Sequence, residues 1–286
     1  MLIEARDLSY TYMPGTPFQV EALKKINLGI ARGEFVGVIG ETGSGKSTLV
    51  QHFNGLLKPT GGEMCVEGKN IWHGETNLRK LRSRIALLFQ FPEHQLFEET
   101  VFNDVAFGPR NLGMSGSEME QRVRFGLTSM GLDFDTYRDR SPFHLSGGEK
   151  RRVAMAGIMA MRPEVVVLDE PTAGMDPVGR RKFMEQVSRL HREEKLTVIL
   201  VTHNMEEIAR LAERLFVFNR GELVLQGQPA EVFKSVSLIK ETGLEIPAFS
   251  ELLQQLRQRG KEVRTDFFTV GDVAGEILKL SREERT

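Results

Sequence analysis

The chain opens with two segments in which apolar and polar residues alternate. Residues 2–11 follow this period of two, and residues 20–30 follow it again after a stretch rich in Pro and Gly. Such alternation is typical of a strand with one buried face, because successive side chains of a strand point to opposite sides. Together with a short hairpin at residues 64–71, these segments predict a small antiparallel sheet.

Four later segments are apolar throughout: Phe35–Ile39, Ile85–Phe89, Val165–Leu168 and Thr197–Val201. A run without alternation predicts a strand buried on both faces, as in a parallel sheet covered by helices. Residues with helical spacing separate these runs, and the stretch from about 91 to 162 is mainly helical. The pattern therefore predicts an α/β fold with a helical insert.

The character of the chain changes at about residue 238. Beyond it, Phe249, Leu252, Leu253 and Leu256 recur with helical spacing, and residues 267–280 form a second amphipathic segment. So short a pair cannot bury a core of its own, and we expect it to dock on the main domain or on a partner chain. We divide the chain into a main domain, 1–238, and an extension, 239–286.

Composition narrows the class of protein. The 286 residues are 40% hydrophobic and 27% charged, as in ordinary globular proteins, and the net charge of −1 favours neither nucleic acid nor an anionic membrane as the main partner. The single cysteine, Cys65, excludes an internal disulfide and is too isolated for a metal site. No apolar run approaches the ~20 residues that span a bilayer, and Glu4 and Arg6 interrupt any signal peptide. These features predict a soluble intracellular protein.

The most specific motif follows the first apolar run. Residues 40–48 fit the pattern G-x-x-x-x-G-K-[ST] between a predicted strand and a predicted helix, which is the context that a phosphate-binding loop requires. The glycines leave backbone N–H groups free to face an anion, and the helix directs its positive end there. We predict that the loop binds nucleotide through Gly40, Glu41, Thr42, Gly43, Ser44, Gly45, Lys46, Ser47 and Thr48.

Two carboxylates end the third apolar run, at the position where open α/β sheets bind ligands. Asp169 suits a magnesium ion held through water, and Glu170 suits a base that orients an attacking water molecule. His203 follows the fourth run and could contact a γ-phosphate or simply cap the turn. Tyr12 could stack on a purine or cover the sheet edge, and the pattern favours the second. His94 has no companion ligands at useful spacing.

A second helix start lies at Ser146–Glu149. Ser146 is a natural N-cap, and Glu149, three residues later, completes the sequence of a capping box. Gly147 and Gly148 leave backbone N–H groups exposed, so the turn could bind another phosphate. From the residues alone, a simple cap and a phosphate site are both open.

Taken in order, the phosphate loop, Gln90, Leu145–Glu149, Val165–Glu170, Asp176 and His203 resemble the ATP-binding-cassette (ABC) family over about residues 2–236. The resemblance implies a P-loop NTPase fold with a mostly parallel core sheet, an antiparallel β subdomain, a helical subdomain and a small C-terminal extension. It implies an ATPase that works as a head-to-tail dimer, with each ATP held between one subunit's phosphate loop and the other's Leu-Ser-Gly-Gly-Glu turn.

The resemblance also assigns roles to residues. Glu170 is implied as the catalytic glutamate, His203 as the switch histidine, and Gln90 as the glutamine that senses magnesium and the membrane partner. The implied adenine contact is Tyr12, and the implied loop residue that crosses the dimer is Asp176. The implied Mg²⁺ residues are Ser47, Gln90 and Asp169, and the implied contacts to the opposite ATP are Ser146, Gly147, Gly148 and Glu149.

A narrower resemblance rests on Phe89–Val101 and Asp104–Pro109. These residues are similar to the ATPases of energy-coupling-factor (ECF) transporters, which import vitamins and transition-metal ions, and Glu93–Gln95 and Pro171–Gly174 look most like the second of the two paired ATPases. The resemblance implies a homologous ATPase, a transmembrane coupling protein and a membrane-embedded substrate binder, the S component, as partners. It places the chain at the cytoplasmic face of the cell membrane as a peripheral subunit, with residues 239–286 helping to hold the two ATPases together.

Other classes stay open at this point. One is an ATPase of another ABC importer or exporter, and the other is a soluble ABC protein of DNA repair or translation. Soluble members usually carry two cassettes or a long coiled coil, and neither is present in this sequence. A binding subunit without hydrolysis is disfavoured because Glu170 and His203 are both in place. The transported substrate would be chosen by another chain.

Overall fold

The computed structural model describes residues 1–74 and 76–283. The described residues form two β-sheets, helices that cover them, and a C-terminal helical extension. The strands are β1 Ile3–Tyr12, β2 Val20–Ile30, β3 Phe35–Gly40, β4 Gly61–Val66, β5 Lys69–Asn70, β6 Ile85–Leu88, β7 Val165–Asp169, β8 Thr197–Val201, β9 Arg214–Asn219 and β10 Glu222–Gly227. The helices are α1 Lys46–Phe53, α2 Leu78–Arg84, α3 Val101–Asn111, α4 Gly116–Ser129, α5 Phe134–Tyr137, α6 Gly147–Ala160, α7 Pro177–Glu194, α8 Met205–Leu211, α9 Pro229–Val232, α10 Val236–Glu241, α11 Ala248–Gln258 and α12 Val270–Glu283.

The predicted antiparallel sheet is present, in the strand order β2-β1-β4-β5. Strand β1 pairs antiparallel with β2 and with β4, so that Ile3 lies opposite Ile30 on one side and Val66 on the other. Ile3, Ala5 and Leu8 are almost fully buried. The alternation in the sequence therefore arises because this sheet packs one face on the core.

The second sheet has the order β10-β9-β3-β8-β7-β6 and is parallel except for its edge strand β10. In β7, Val165 and Val167 face one hydrophobic core, while Val166 and Leu168 face the other. All five residues of β7 are buried. Burial on both faces explains why the predicted central strands are apolar without alternation.

Helices cover the parallel sheet on one face, and the antiparallel sheet with α1 covers the other. Phe35 and Ile39 of β3 pack in the core that contains residues of α7 and α8, whereas Val36 and Val38 pack with residues of β1, β2 and α1. The predicted helical insert is formed by α3, α4, α5 and α6, with α6 packed against both α3 and α4. This arrangement confirms the predicted α/β class.

The parallel sheet brings distant parts of the sequence to one edge. Strands β3, β8, β7 and β6 are consecutive neighbours, and they end at Gly40, Val201, Asp169 and Leu88. Because these strands run in the same direction, their carboxyl ends lie side by side. The segments that follow them therefore surround a common edge, where open α/β sheets bind ligands.

The extension contacts the main domain, and the main core continues beyond residue 238. Ile239, Leu244 and Ile246 are buried in the larger core. Further along, Leu253, Val263 and Val273 form a small separate cluster. The ring of Phe268 packs 5.9 Å from that of Phe233, and Gln254 donates a hydrogen bond to the Phe233 carbonyl. The amphipathic pair thus docks partly on its own chain.

Helix α7 has 18 residues, and it carries charged side chains along its length. Within residues 1–74 and 76–283, no helix has both the length and the apolar composition needed to cross a membrane.

Candidate active site

The phosphate loop lies between β3 and α1, as predicted. Its lysine, Lys46, is 5% exposed and donates hydrogen bonds of 2.7 Å to the carbonyl oxygens of Gly40 and Glu41. Burial lowers the pKa of the Lys46 ammonium, and the nearby charges of Glu170 and Asp169 oppose that shift. The ammonium is therefore held inside the loop by backbone oxygens, in reach of an anion that would replace them.

The loop is packed too tightly at Gly45 to accept a side chain. Gly45 has a φ of +103°, and a Cβ there would lie 2.5 Å from the carbonyl oxygen of Ala22 in β2. Glycine meets both requirements, because it accepts this backbone conformation and lets the two main chains approach closely. The antiparallel sheet thus fixes the loop from behind.

Two buried oxygen-bearing side chains, Ser44 and Asp169, belong to the loop and its surroundings. The Ser44 hydroxyl is buried and has no hydrogen-bond partner within the described part of the chain. The Asp169 carboxyl is 7% exposed; burial raises its pKa, and a hydrogen bond with the Ser47 hydroxyl lowers it in part. A cation beside Asp169 would stabilise its charged form.

The three residues assigned to catalysis lie together. Glu170 accepts a hydrogen bond of 3.2 Å from the Gln90 amide through Oε2, and its Oε1 lies 2.7 Å from His203 Nε2. They follow β7, β6 and β8, so the parallel sheet brings them into one cluster. Glu170 and Gln90 are 80 positions apart in the sequence.

Glu170 has an unusual backbone conformation. Its φ of +49° is in the left-handed region, which is uncommon for a residue with a side chain. The Glu170 N–H donates to the Val201 carbonyl at 3.0 Å, and the Glu170 carbonyl accepts from Ala173 N–H at 3.2 Å. These bonds hold the carboxylate at the sheet edge, and such conformations are concentrated at functional sites.

The Ser146–Glu149 turn forms the predicted capping box. The Ser146 N–H and hydroxyl both donate to Glu149 Oε2, at 2.8 and 2.7 Å, and the Tyr137 hydroxyl donates to Oε1 at 2.7 Å. These bonds lower the pKa of Glu149 from 4.5 to about 2, and the hydrogen bond from the Ser146 hydroxyl has the largest effect. Glu149 is also 3.8 Å from Arg140.

Two further predicted residues lie outside this cluster. Asp176 caps α7 by accepting hydrogen bonds of 3.0 and 2.9 Å from the N–H groups of Val178 and Gly179. Tyr12 is 38% exposed, and its hydroxyl is 3.1 Å from that of Thr48 in α1. Tyr12 therefore lies beside the helix that follows the phosphate loop, at the end of β1.

A cavity of about 1060 Å³ opens beside the catalytic cluster. Glu170 and His203 line one side of it, and residues from Lys240 to Glu251 line the other. No sequence pattern indicates this proximity, because the amphipathic pattern of the extension predicts burial but not the neighbouring element. The start of the extension thus borders the active-site edge.

Arg151 is a second feature that sequence reasoning missed. It stands in the run Lys150–Arg152, which indicates a solvated surface, but the side chain is 5% exposed and bonded to Glu93 and Pro171. No pattern within this run distinguishes Arg151 from its neighbours, and its burial results from the packing of α6 against the turn that contains Glu93.

Comparison with known proteins agrees with this geometry. The model of the ABC transporter family matches residues 23–173, which include the phosphate loop, Gln90, Ser146–Glu149 and Glu170. The chain is 48% identical over 282 residues to the energy-coupling factor transporter ATP-binding protein EcfA2 of Clostridium perfringens, covering 99% of both chains. It is 45% identical over 286 residues to the EcfA2 of Enterococcus faecalis, covering 99% of this chain and 98% of that protein.

Solved structures show the same likeness. The structure of cbiO1 from Clostridium perfringens, part of the ABC transporter complex cbiONQ, superposes with a TM-score of 0.75 at 38% identity over 88% of this chain and 98% of that one. The ATP-binding cassette MJ0796, in a dimeric post-hydrolysis state bound to ADP and Pi, has a TM-score of 0.70 at 31% identity over 79% of this chain and 98% of that one. The predicted family is thereby confirmed. The chain belongs to the ABC transporter family, as one of its energy-coupling factor transporter ATP-binding proteins, and it is an ATPase whose hydrolysis is coupled to transport.

Proposed function

We propose that this ATPase pairs head to tail with a homologous ATPase and, at the cytoplasmic face of the cell membrane, drives uptake of a vitamin or a transition-metal ion. A transmembrane coupling protein and a membrane-embedded substrate binder, the S component, complete the assembly. The substrate would be selected by the S component, because the predicted site residues of this chain are suited to binding nucleotide and not a transported substrate.

The observation that supports pairing is the incomplete active site of the single chain. Within the described residues, the side-chain contacts of Ser146 and Glu149 are with each other, Tyr137 and Arg140. The turn therefore leaves its glycine N–H groups to an anion from outside the chain, at a helix N-terminus that favours negative charge. A facing subunit with ATP on its phosphate loop would supply that anion. In the same way, the Leu-Ser-Gly-Gly-Glu turn of the facing subunit would complete the ATP site at Lys46 of this chain.

The donor atoms of the site fit magnesium. The Ser47 hydroxyl, the Asp169 carboxylate and the Gln90 amide oxygen are hard oxygen ligands, which Mg²⁺ prefers, and phosphate oxygens and water would complete its shell. The described residues contain no group of three or more His, Cys, Asp or Glu side chains placed to hold a metal ion alone. When bound, the ion would neutralise charge between the β- and γ-phosphates.

The residues of the cluster then divide the chemistry. Lys46 exchanges its two backbone carbonyl partners for phosphate oxygens, and Glu170 polarises the water that attacks the γ-phosphate in line. His203 donates to the oxygens of the transferred group. Gln90 and His203 both contact the Glu170 carboxylate in this structure, so they must exchange part of these contacts for phosphate oxygens when nucleotide binds. Closure of the ATPase pair would bring about this exchange, and the closing movement would be transmitted to the membrane partner.

An exposed aromatic surface supports docking of the membrane partner on the segment after Gln90. Phe97 and Phe107 are 58% and 43% exposed, and their rings meet edge to face at 5.0 Å. They border a small cavity between the segment after Gln90 and α6, lined also by Leu96, Val153 and Ile158. Adjacent exposed rings over an apolar cavity are typical of a docking surface.

Co-purification from membranes tests the proposal. Tagged wild-type protein expressed with its native partners should carry a homologous ATPase and two membrane proteins into native mass spectrometry. The double change Phe97→Ser and Phe107→Ser should lose the membrane proteins and keep the ATPase, because it removes the aromatic surface alone. The control Phe18→Ser alters a side chain that is 77% exposed on the β1–β2 loop and should keep both. Isolation of a single chain, or of other membrane subunits, would contradict the proposal.

A further inference from the structure

Arg151 in α6 joins three separate segments of the chain. Its Nε and Nη2 donate to the two carboxylate oxygens of Glu93 at 2.9 and 2.8 Å, and its Nη1 donates to the carbonyl oxygen of Pro171 at 3.2 Å. The guanidinium also lies 5.9 Å from the centre of the Phe91 ring. With its side chain 5% exposed, Arg151 is buried, whereas the two basic residues beside it in the sequence are partly exposed.

Each of the three segments lies next to a residue with a proposed role in ATP hydrolysis. Glu93 lies in the 3₁₀ turn Pro92–Gln95, two residues after Phe91, which follows Gln90 directly. Pro171 follows Glu170, the residue that polarises water. Helix α6, which carries Arg151, begins at the Ser146 cap. One side chain therefore connects the segment after Gln90, the backbone after Glu170 and the helix of the capping box.

The geometry of this contact is specific to arginine. The planar guanidinium matches a carboxylate through two parallel hydrogen bonds and has further N–H groups for the Pro171 carbonyl, whereas a lysine ammonium is a point charge that cannot hold both in this plane. Burial opposes ionisation of Glu93, but the hydrogen bonds from Arg151 keep its pKa below the ordinary value. The pair is therefore charged and fixed in orientation.

The backbone at Glu170 needs such support. The left-handed conformation of Glu170 is held by few hydrogen bonds, and the chain turns at once through Pro171, which has no N–H of its own to anchor it. Its carbonyl is thus a further main-chain group, beside the Glu170 carbonyl that accepts from Ala173 N–H, through which the side following Glu170 can be fixed. Arg151 Nη1 occupies that carbonyl.

We propose that Arg151 is a positioning residue for ATP hydrolysis. It holds the Pro171 carbonyl and so sets the Glu170 carboxylate, while Glu93 holds the guanidinium, so that displacement of the turn Pro92–Gln95 changes the placement of Glu170. The effect on Glu170 rests on this chain alone. That a membrane partner docked on the aromatic surface of Phe97 and Phe107 displaces the turn, and so changes the placement of Glu170, rests on the proposed function.

The main test is Arg151→Lys in the purified ATPase complex. We expect kcat for ATP hydrolysis to fall at least tenfold, with the KM for ATP and the affinity for a non-hydrolysable ATP analogue within twofold of wild type, because the phosphate loop is untouched. Loss of folded protein alone would also lower the apparent kcat without changing KM, so the rate is normalised to the concentration of sites that bind the analogue. A fall in kcat that disappears on this normalisation would indicate a structural role only and would overturn the proposal. An unchanged kcat would overturn the proposal.

The chain offers a matched control. Arg214 pairs with Glu34 through Nε and Nη2 at 2.8 and 2.9 Å and also donates to the Gly29 carbonyl, in the same bidentate arrangement. It lies at the start of β9, at the opposite end of the parallel sheet from the active site. Arg214→Lys should lower the melting temperature as Arg151→Lys does, yet keep kcat within twofold.

A second variant separates positioning from loss of a buried ion pair. Arg151→Met with Glu93→Leu replaces both charges by apolar groups of similar size, which buried pairs often tolerate in stability. The fold should persist with a melting temperature near that of wild type, and kcat should stay at least tenfold low because the Pro171 carbonyl has lost its donor. Wild-type kcat in this double variant would also overturn the proposal.

The two proposals can fail separately. Basal kcat of the ATPases without membrane proteins reports on Arg151 and Glu170. Stimulation of kcat by the membrane proteins, compared for wild type and Arg151→Lys, reports on transmission. If Arg151→Lys lowers basal kcat but no membrane protein binds any variant, the proposed function fails and the positioning role remains.

Discussion

At the scale of single residues, the site depends on groups held against their ordinary preference. Glu170 has a left-handed backbone, Asp169 is a buried carboxyl whose pKa burial raises, and Lys46 is a buried ammonium whose pKa burial lowers. Each is costly to the folded state when no ligand is present. A bound magnesium triphosphate would relieve the costs at Asp169 and Lys46, because it brings a cation for the carboxyl and an anion for the ammonium. This is the arrangement expected where stability is exchanged for binding.

The role of Glu170 predicts the effect of Glu170→Gln. ATP affinity should be kept within a few-fold, while turnover falls by about 10²–10⁴, the range that general-base catalysis supplies. Hydrolysis would stop with both nucleotides bound, so the ATPase pair should stay closed, which size-exclusion chromatography with ATP would show. Glu206 lines the same cavity, and Glu206→Gln is the control that should turn over normally. Normal turnover in Glu170→Gln would refute the assignment.

Lys46 predicts a different kind of loss. Lys46→Met keeps the length of the buried side chain but removes the ammonium, and charge-assisted bonds to phosphate are worth about 1.5–3 kcal/mol. We expect the dissociation constant for ATP to rise by about 10–150-fold in isothermal titration calorimetry. Lys58, which lies over the Trp72 ring at 5.9 Å, gives the control Lys58→Met. Equal affinities for both variants would count against the phosphate-loop assignment.

At the scale of elements, α6 shows how a helix end serves two purposes. The capping box satisfies the first turn, and the bonds from Ser146 and Tyr137 fix the Glu149 carboxylate. The carboxylate thereby adds negative charge at the helix start, while the glycine N–H groups beside it are still open to a phosphate. A rigid turn of this kind presents its N–H groups without losing entropy on binding.

Glu149→Gln tests the cap through pH. In wild type the pKa of Glu149 is about 2 in the folded chain against 4.5 unperturbed, so its contribution is complete above pH 4.5 and is lost as the pH falls toward 2. At pH 7 the variant should be less stable by about 1 kcal/mol, a typical value for a cap. The difference between the two proteins should narrow below pH 4.5 in urea unfolding. A difference independent of pH would show that the charge is not what stabilises the turn.

At the scale of the whole molecule, the boundary of the extension decides how it can be tested. Ile239, Leu244 and Ile246 are 0, 7 and 7% exposed in the larger core, so a cut at 239 removes core side chains. Each such side chain is worth about 1.5–3 kcal/mol, and together they approach the whole stability of a domain. The structure therefore favours a cut after Ile246.

Two truncations should give different results. The chain 1–246 should keep its ATP affinity within twofold and lose affinity for its partner ATPase at least tenfold, because the exposed apolar faces of α11 and α12 are gone. The chain 1–238 should in addition melt earlier than 1–246. Pull-down of the partner and calorimetry of both chains measure these outcomes. Full pairing by 1–246 would remove the extension from the interface.

Residues 284–286 belong to the predicted extension and lie outside the described residues. The part that the structure describes already places Leu252 and Leu278 at the surface, 40% and 59% exposed. Such side chains on amphipathic helices fit the proposed contact with a second ATPase.

Local sequence patterns account for the features that depend on neighbours along the chain. The phosphate loop, the capping box of Ser146 and Glu149, the half-buried strands and the fully buried strands all follow from backbone geometry and side-chain period within a few residues. The order of the motifs is specific to the family, and it predicts the roles of Glu170 and His203.

Contacts between residues distant in the sequence depend on the packing of whole elements. Gln90 reaches Glu170 because β6 and β7 are adjacent and parallel, and strand order is not encoded in any local pattern. Arg151 is buried because α6 packs on the turn at Glu93, although its sequence neighbourhood indicates a solvated surface. The core continues to Ile246, beyond the boundary that the sequence predicts. The sequence does not show this, because a hydrophobic pattern specifies burial but not the element against which the residues pack. Contacts of this kind depend on packing between elements, which the chain determines only as a whole.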